Sequence, residues 1–147
     1  MATYYNDTSN LKEAVQAVGE SGAGSIDFSQ TSRKGTSIPD AARYSVRWAG
    51  FLQPTYTQTY TFHSRLLSDQ DRVKLWIDNT LVIDQWASLA GNRTRSTAVS
   101  LTEDKFHSVT LEYGHFGPSN TSGISLMWSA SGLHPKILSQ DFLFPKN

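Results

Sequence analysis

A chain of 147 residues with 13 basic and 13 acidic side chains has no net charge, so it lacks the broad field that would draw nucleic acid or an anionic membrane surface. The absence of cysteine removes disulfide staples, thiolate metal sites and a cysteine nucleophile together. The length suits one domain, residues 1–147, which would bury roughly 70% of its unfolded surface, and no apolar run approaches the ~18 residues of a membrane span. Without a signal-peptide pattern at its start, the chain reads as a mature domain excised from a larger protein.

Taken in chain order, the first patterned segment is "NLKEAVQAV", where Leu11, Val15 and Val18 fit a helical period and an irregular strand equally well. "GESGAGS", residues Gly19 to Ser25, has the composition of a flexible surface loop. Period-two alternation then takes over. In "YSVRWAG", Tyr44, Val46 and Trp48 point one way, and Ser45, Arg47 and Ala49 the other, as in a half-buried strand. The same pattern runs through Tyr60 and Phe62, then Val73, Leu75 and Ile77, then Val99 and Leu101 with Ala98 opposite. It returns at Val109, Leu111 and Tyr113 and at Ile124, Leu126 and Trp128. "DNT", Asp78 to Thr80, marks a tight hairpin, because Asp and Asn tolerate positive φ. Strands at this spacing, separated by Gly, Pro, Asn and Ser clusters, predict an all-β fold: an antiparallel two-sheet β-sandwich, jelly-roll-like, with at most short helical turns.

Few patterns carry catalytic chemistry. His63, His107, His115 and His134 are scattered without metal-ligand spacing and read as surface or edge residues. No Gly-x-Ser-x-Gly elbow or phosphate loop is present, and Glu103 with Asp104 reads as a charged turn. The chain is therefore read as non-enzymatic.

The strings "YSVRWAGFLQP", "YTF" and "DRVKLWIDNTLVIDQW" together resemble the protective-antigen-type domain, a β-sandwich module of adhesins, toxins and glycosidases. "ATYYNDTS" is similar to that family's opening strand, "SIDFS" to its second island, and "VTLEY" with "GISLMW" to its closing hairpin. The resemblance implies glycan binding by loops at one end of the sandwich. In the adhesin members two consecutive aspartates, joined by a cis peptide ahead of the strand ending in Trp, ligate a calcium ion that coordinates sugar hydroxyls. The matching positions are Gln70 and Asp71, so one aspartate is replaced, and Arg72 stands where glycine is common.

Two readings of this loop stay open. Calcium affinity follows the number of charged oxygens, so Gln70 weakens a site that Asp69 would restore by a shift of register. Alternatively, Asp69 and Asp71 make turn hydrogen bonds to the backbone. On the calcium reading the metal ligands are Asp69, Gln70, Asp71 and Asn120, the last from the loop Gly114 to Gly123. Phe116 would stack on a sugar and Arg93 would bond its hydroxyls, or these would be a loop anchor and a solvated arginine. Asn120 also heads a glycosylation sequon, as do Asn6 and Asn92. Trp48, Trp76, Trp86 and Trp128 are assigned to structure.

The expected function is a non-catalytic, lectin-like carbohydrate-binding module of an extracellular or cell-surface protein. It would be monomeric in isolation, with a glycan or polysaccharide as its partner. The alternatives are a structural or protein-interaction module without a sugar site, and a glycoside-acting enzyme domain.

Overall fold

A computed structural model describes residues 2–5, 14–18, 26–29, 43–117, 121–138 and 143–145. Among these residues there is no helix, and twelve strands form two antiparallel sheets. In chain order they are β1 (Ala2–Tyr5), β2 (Ala14–Val18), β3 (Asp27–Ser29), β4 (Tyr44–Leu52), β5 (Gln58–Leu66) and β6 (Asp71–Ile77). The second half supplies β7 (Thr80–Gln85), β8 (Thr94–Leu101), β9 (His107–His115), β10 (Gly123–Ala130), β11 (Leu133–Ile137) and β12 (Leu143–Pro145). The ambiguous segment resolves in favour of a strand over Ala14–Val18. Leu11 and the Gly19 to Ser25 loop lie outside the described residues.

The seven-stranded sheet runs β2-β1-β4-β9-β6-β7 with β12 also on β4; the five-stranded sheet runs β11-β10-β5-β8 with β3 also on β10. Alternation decides which side chains face between the sheets. Val46 and Trp48, Val73 and Leu75, and Leu111 and Tyr113 come from the first sheet, and Tyr60, Phe62, Ile124, Leu126 and Trp128 from the second; all are buried in one cluster. Tyr60 stacks on Trp128 at 4.8 Å. The expected hairpin is present: Asp78 and Asn79 sit at φ 49° and 64° between β6 and β7, both left-handed as a type I′ turn requires.

Register places three crossovers at one end of the sandwich. Asp71 opens β6 opposite His115, the last residue of β9, while Ile124 near the start of β10 faces Leu66 at the end of β5. Thr94, which opens β8, pairs with Arg65. The β5–β6, β7–β8 and β9–β10 connections therefore converge, each passing from one sheet to the other.

The alternation also corrects two groups of sequence assignments. Trp76 follows Leu75 in β6, so it faces away from the core and is half-buried, as is Trp86 beyond β7; only Trp48 and Trp128 belong to the buried cluster. His107 and His115 are not surface residues: both face inward with Val109, Leu111 and Tyr113 and are buried.

Candidate functional site

The converging loops are pinned by Asp71, whose carboxylate is fully buried. One oxygen accepts the Tyr113 hydroxyl at 2.7 Å and the His115 Nδ1–H at 2.8 Å. The other accepts the backbone N–H of Ser68 at 2.9 Å and of Gly123 at 3.2 Å. A buried carboxylate is tolerated only when its lone pairs are met, and here two donors meet each oxygen. The carboxylate thereby ties the β5–β6 loop, β9 and the start of β10 together.

The polar network extends further. Tyr44 Oη lies 2.7 Å from Ser122 Oγ and 3.5 Å from Tyr113 Oη. Burial first, then Tyr44 and the Asp71 charge, raise the Tyr113 hydroxyl far above the usual tyrosine range, so it stays a donor.

Around this knot the backbone closes on itself. Asp71 donates its N–H to the Ser68 carbonyl, Leu67 to that of Gly123, and Phe116 to that of Gln70. Arg93 donates through Nη1 to the Leu67 carbonyl at 2.7 Å and holds Nε 3.5 Å from an Asp69 carboxylate oxygen. Asp69 is 89% exposed, so that ion pair is worth little.

These contacts bring three of the sequence candidates to one rim. Ser68, Asp69, Gln70, Arg93 and Thr121 line an open polar cleft of about 360 Å³. Gln70 is half-buried against Gly117, where an added Cβ would overlap its side chain. Phe116 sits apart from the cleft, its ring edge-on to Trp86 at 5.4 Å with the Arg72 guanidinium 5.7 Å from its centre. Asn120 lies outside the described residues.

The surroundings of Asp71 do not fit a calcium ion. Calcium needs oxygen lone pairs directed at it, and those of Asp71 are directed at four hydrogens. Asp69 points to solvent and Arg93 rather than towards Asp71. Every described peptide bond is trans, Gln70–Asp71 included, and no group of three or more His, Cys, Asp or Glu among the described residues is placed to hold a metal. Arg72 faces outward and donates to the Asp69 and Asp71 carbonyls at 2.9 and 2.8 Å.

Sequence reasoning missed the donors of Asp71 and the outward tryptophans. For Trp76 the signal was present, since a residue between Leu75 and Ile77 must face away from them.

A family model described as the PA14 domain matches residues 1–141. The chain belongs to the PA14 domain family. The PA14 chain is 34% identical over 104 residues to the anti-sigma-I factor RsgI3 of Acetivibrio thermocellus, a match covering 71% of this chain and 15% of that protein. Among solved structures, an anti-sigma factor domain-containing protein from Clostridium clariflavum is 29% identical with a TM-score of 0.80, covering 99% of this chain and 47% of the other. A PA14 sugar-binding domain from an RTX adhesin matches at 20% identity and TM-score 0.57, covering 76% of this chain and 60% of the other, a likeness of fold. The chain thus spans 15% of the curated relative and under half of the anti-sigma structure it matches.

Proposed function

We propose that this PA14 domain is a non-catalytic recognition module of a larger regulator of the anti-sigma type, displayed outside the cell, and that its binding end works without calcium. The observation that carries this reading is the division of labour at the loop end. Asp71 is consumed as the buried tie between loops, while Asp69, Gln70, Arg93 and Thr121 are left around an open cleft. A rigid frame with polar groups at its rim is what a binding site needs. The described residues add no nucleophile–base pair at that rim to suggest turnover.

A glycan ligand is supported by sugar-binding neighbours of the same fold, such as the RTX adhesin domain. A protein ligand is the second reading, and the 34% identity to an anti-sigma factor favours it. A glycan array run with EDTA separates the two. Retained glycans that are lost on Arg93→Ala support recognition at the cleft, whereas retention that appears only with added calcium refutes the calcium-free site. A blank array, together with binding to another segment of the parent regulator, assigns the cleft to protein contact.

A further inference from the structure

The outer face of the seven-stranded sheet carries a feature that neither the fold nor the cleft requires. Along β6 the inward residues are Val73, Leu75 and Ile77, so Arg72, Lys74 and Trp76 stand on the outer side. Trp86 lies just beyond β7 and Phe116 just beyond β9, and their rings meet over Gly114. A Cβ at Gly114 would come 2.8 Å from the Phe116 ring and 3.0 Å from Trp86, so glycine is what lets both rings lie down on the sheet. Lys74 Nζ sits between the two indoles, 5.6 Å from the centre of Trp86 and 5.9 Å from that of Trp76. Arg72, Lys74 and Trp76 therefore span about 13 Å of β6 at the usual rise of an extended chain, with Phe116 against Arg72 and Trp86 against Lys74 from the neighbouring strand ends.

The electrostatics single out the same strip. A row of residues crosses the sheet in register, from Arg47 to Glu112, Lys74 and Asp84. Within it, Glu112 is taken by Arg47 through Nε at 3.1 Å and Nη2 at 2.8 Å. Asp84 turns to the Trp86 backbone N–H at 3.2 Å. Among the described residues no carboxylate forms an ion pair with Arg72 or Lys74. Arg72 and Lys74, neither within ion-pair distance of a carboxylate, thus lie among three half-buried aromatic rings on the outer side of the sheet.

We propose that this strip is a second binding surface, a platform for an extended polysaccharide bearing uronate carboxylates. The C–H faces of successive pyranose rings would rest on Phe116 with Trp86 and on Trp76, as sugars rest on flat aromatic surfaces. The carboxylates would meet the planar guanidinium of Arg72 and the ammonium of Lys74. A neutral glycan would cover both cations and offer them no charge in return, which costs binding free energy. An acidic peptide would answer the cations and leave the ring spacing unused. The proposal rests on the recognition-module reading for its class of ligand, but on different residues.

The test is titration of the intact domain, in EDTA, with a short oligomannuronate and with the same oligosaccharide after reduction of its carboxyl groups. Tryptophan fluorescence and calorimetry give the readout. The carboxylated sugar is expected to bind saturably, with affinity falling as salt is added, and the reduced sugar to bind at least about tenfold more weakly. Lys74→Gln and Trp76→Ala should each weaken binding by about tenfold, with melting curves confirming that both variants fold. Lys74→Gln touches no core residue and keeps the test valid should the tryptophan variant be destabilised. Arg93→Ala should leave this binding intact, which keeps failure of the cleft distinguishable from failure of the strip. Equal binding of both oligosaccharides, binding unchanged by the strip variants, or binding of polyglutamate in place of oligomannuronate would each overturn the proposal.

Discussion

Replacing Asp71 by asparagine keeps the shape of the side chain and removes its charge, so it isolates what the buried carboxylate does. Four donors converge on two oxygens. Whichever way the amide turns, its NH₂ group faces two of those donors, and two hydrogen bonds become donor–donor contacts. Hydrogen bonds to a charged group are worth about 1.5–3 kcal/mol each. Losing two, offset in part by no longer burying a charge, leaves a net cost of about 3–5 kcal/mol. For a domain of this length that lowers Tm by roughly 10–20 °C. Calorimetry at neutral pH on the wild type, Asp71→Asn and Asp69→Asn checks it. The exposed Asp69 supplies the control, with an expected change within about 0.5 kcal/mol. An Asp71→Asn variant melting within about 2 °C of the wild type would refute the account of Asp71 as a saturated structural tie. So would a calcium-induced rise in wild-type Tm that Asp71→Asn abolishes, since a ligand bound only to the folded state stabilises it by mass action.

Three further outcomes are expected. Tyr113 has its folded pKa raised above the unfolded value of 10.0, so its contribution is intact below pH 10 and is lost as pH rises above it. Denaturant melts should show stability falling above that point by about 1.4 kcal/mol per pH unit for this one proton, and Tyr113→Phe should remove that slope. Gly114→Ala should cost about 1–3 kcal/mol, because the added methyl collides with Phe116 and Trp86, and should red-shift tryptophan emission as Trp86 is lifted off the sheet. Asp78→Ala should cost about 2 kcal/mol by urea denaturation, since alanine at positive φ is strained and the bonds to Ser108 N–H and His107 Nδ1 disappear.

How much was legible in the sequence depended on how far each interaction reaches along the chain. Each sheet buries one face, so period two over Tyr44, Val46 and Trp48, or over Val109, Leu111 and Tyr113, reports both strand and orientation. The Asp78–Asn79 turn is equally local. Leu11 to Val18 was ambiguous because its spacing also fits a helix, and pairing with β1 decides it for Ala14–Val18. Asp71 was illegible for the opposite reason. Its side-chain partners Tyr113 and His115 lie 42 and 44 residues away and the Gly123 amide 52, and nothing in "SDQDR" announces them. The outward tryptophans fall between these cases. Alternation placed Trp76 on the solvent side, and the general preference of large aromatics for the core argued the other way.

The distances that hid Asp71 also set the timetable by which the molecule assembles. As the chain is synthesised, β6 emerges with only the Ser68 amide near its carboxylate, and both donors on β9 and the Gly123 amide arrive only after some 40 to 50 more residues. The loop end therefore closes only once β9 and the start of β10 have been made, in a fold whose long-range pairings make it a slow folder. A fragment cut before β10 would lack β10, β11 and β12, leaving the loop end open and both sheets incomplete, which is a substrate for proteases.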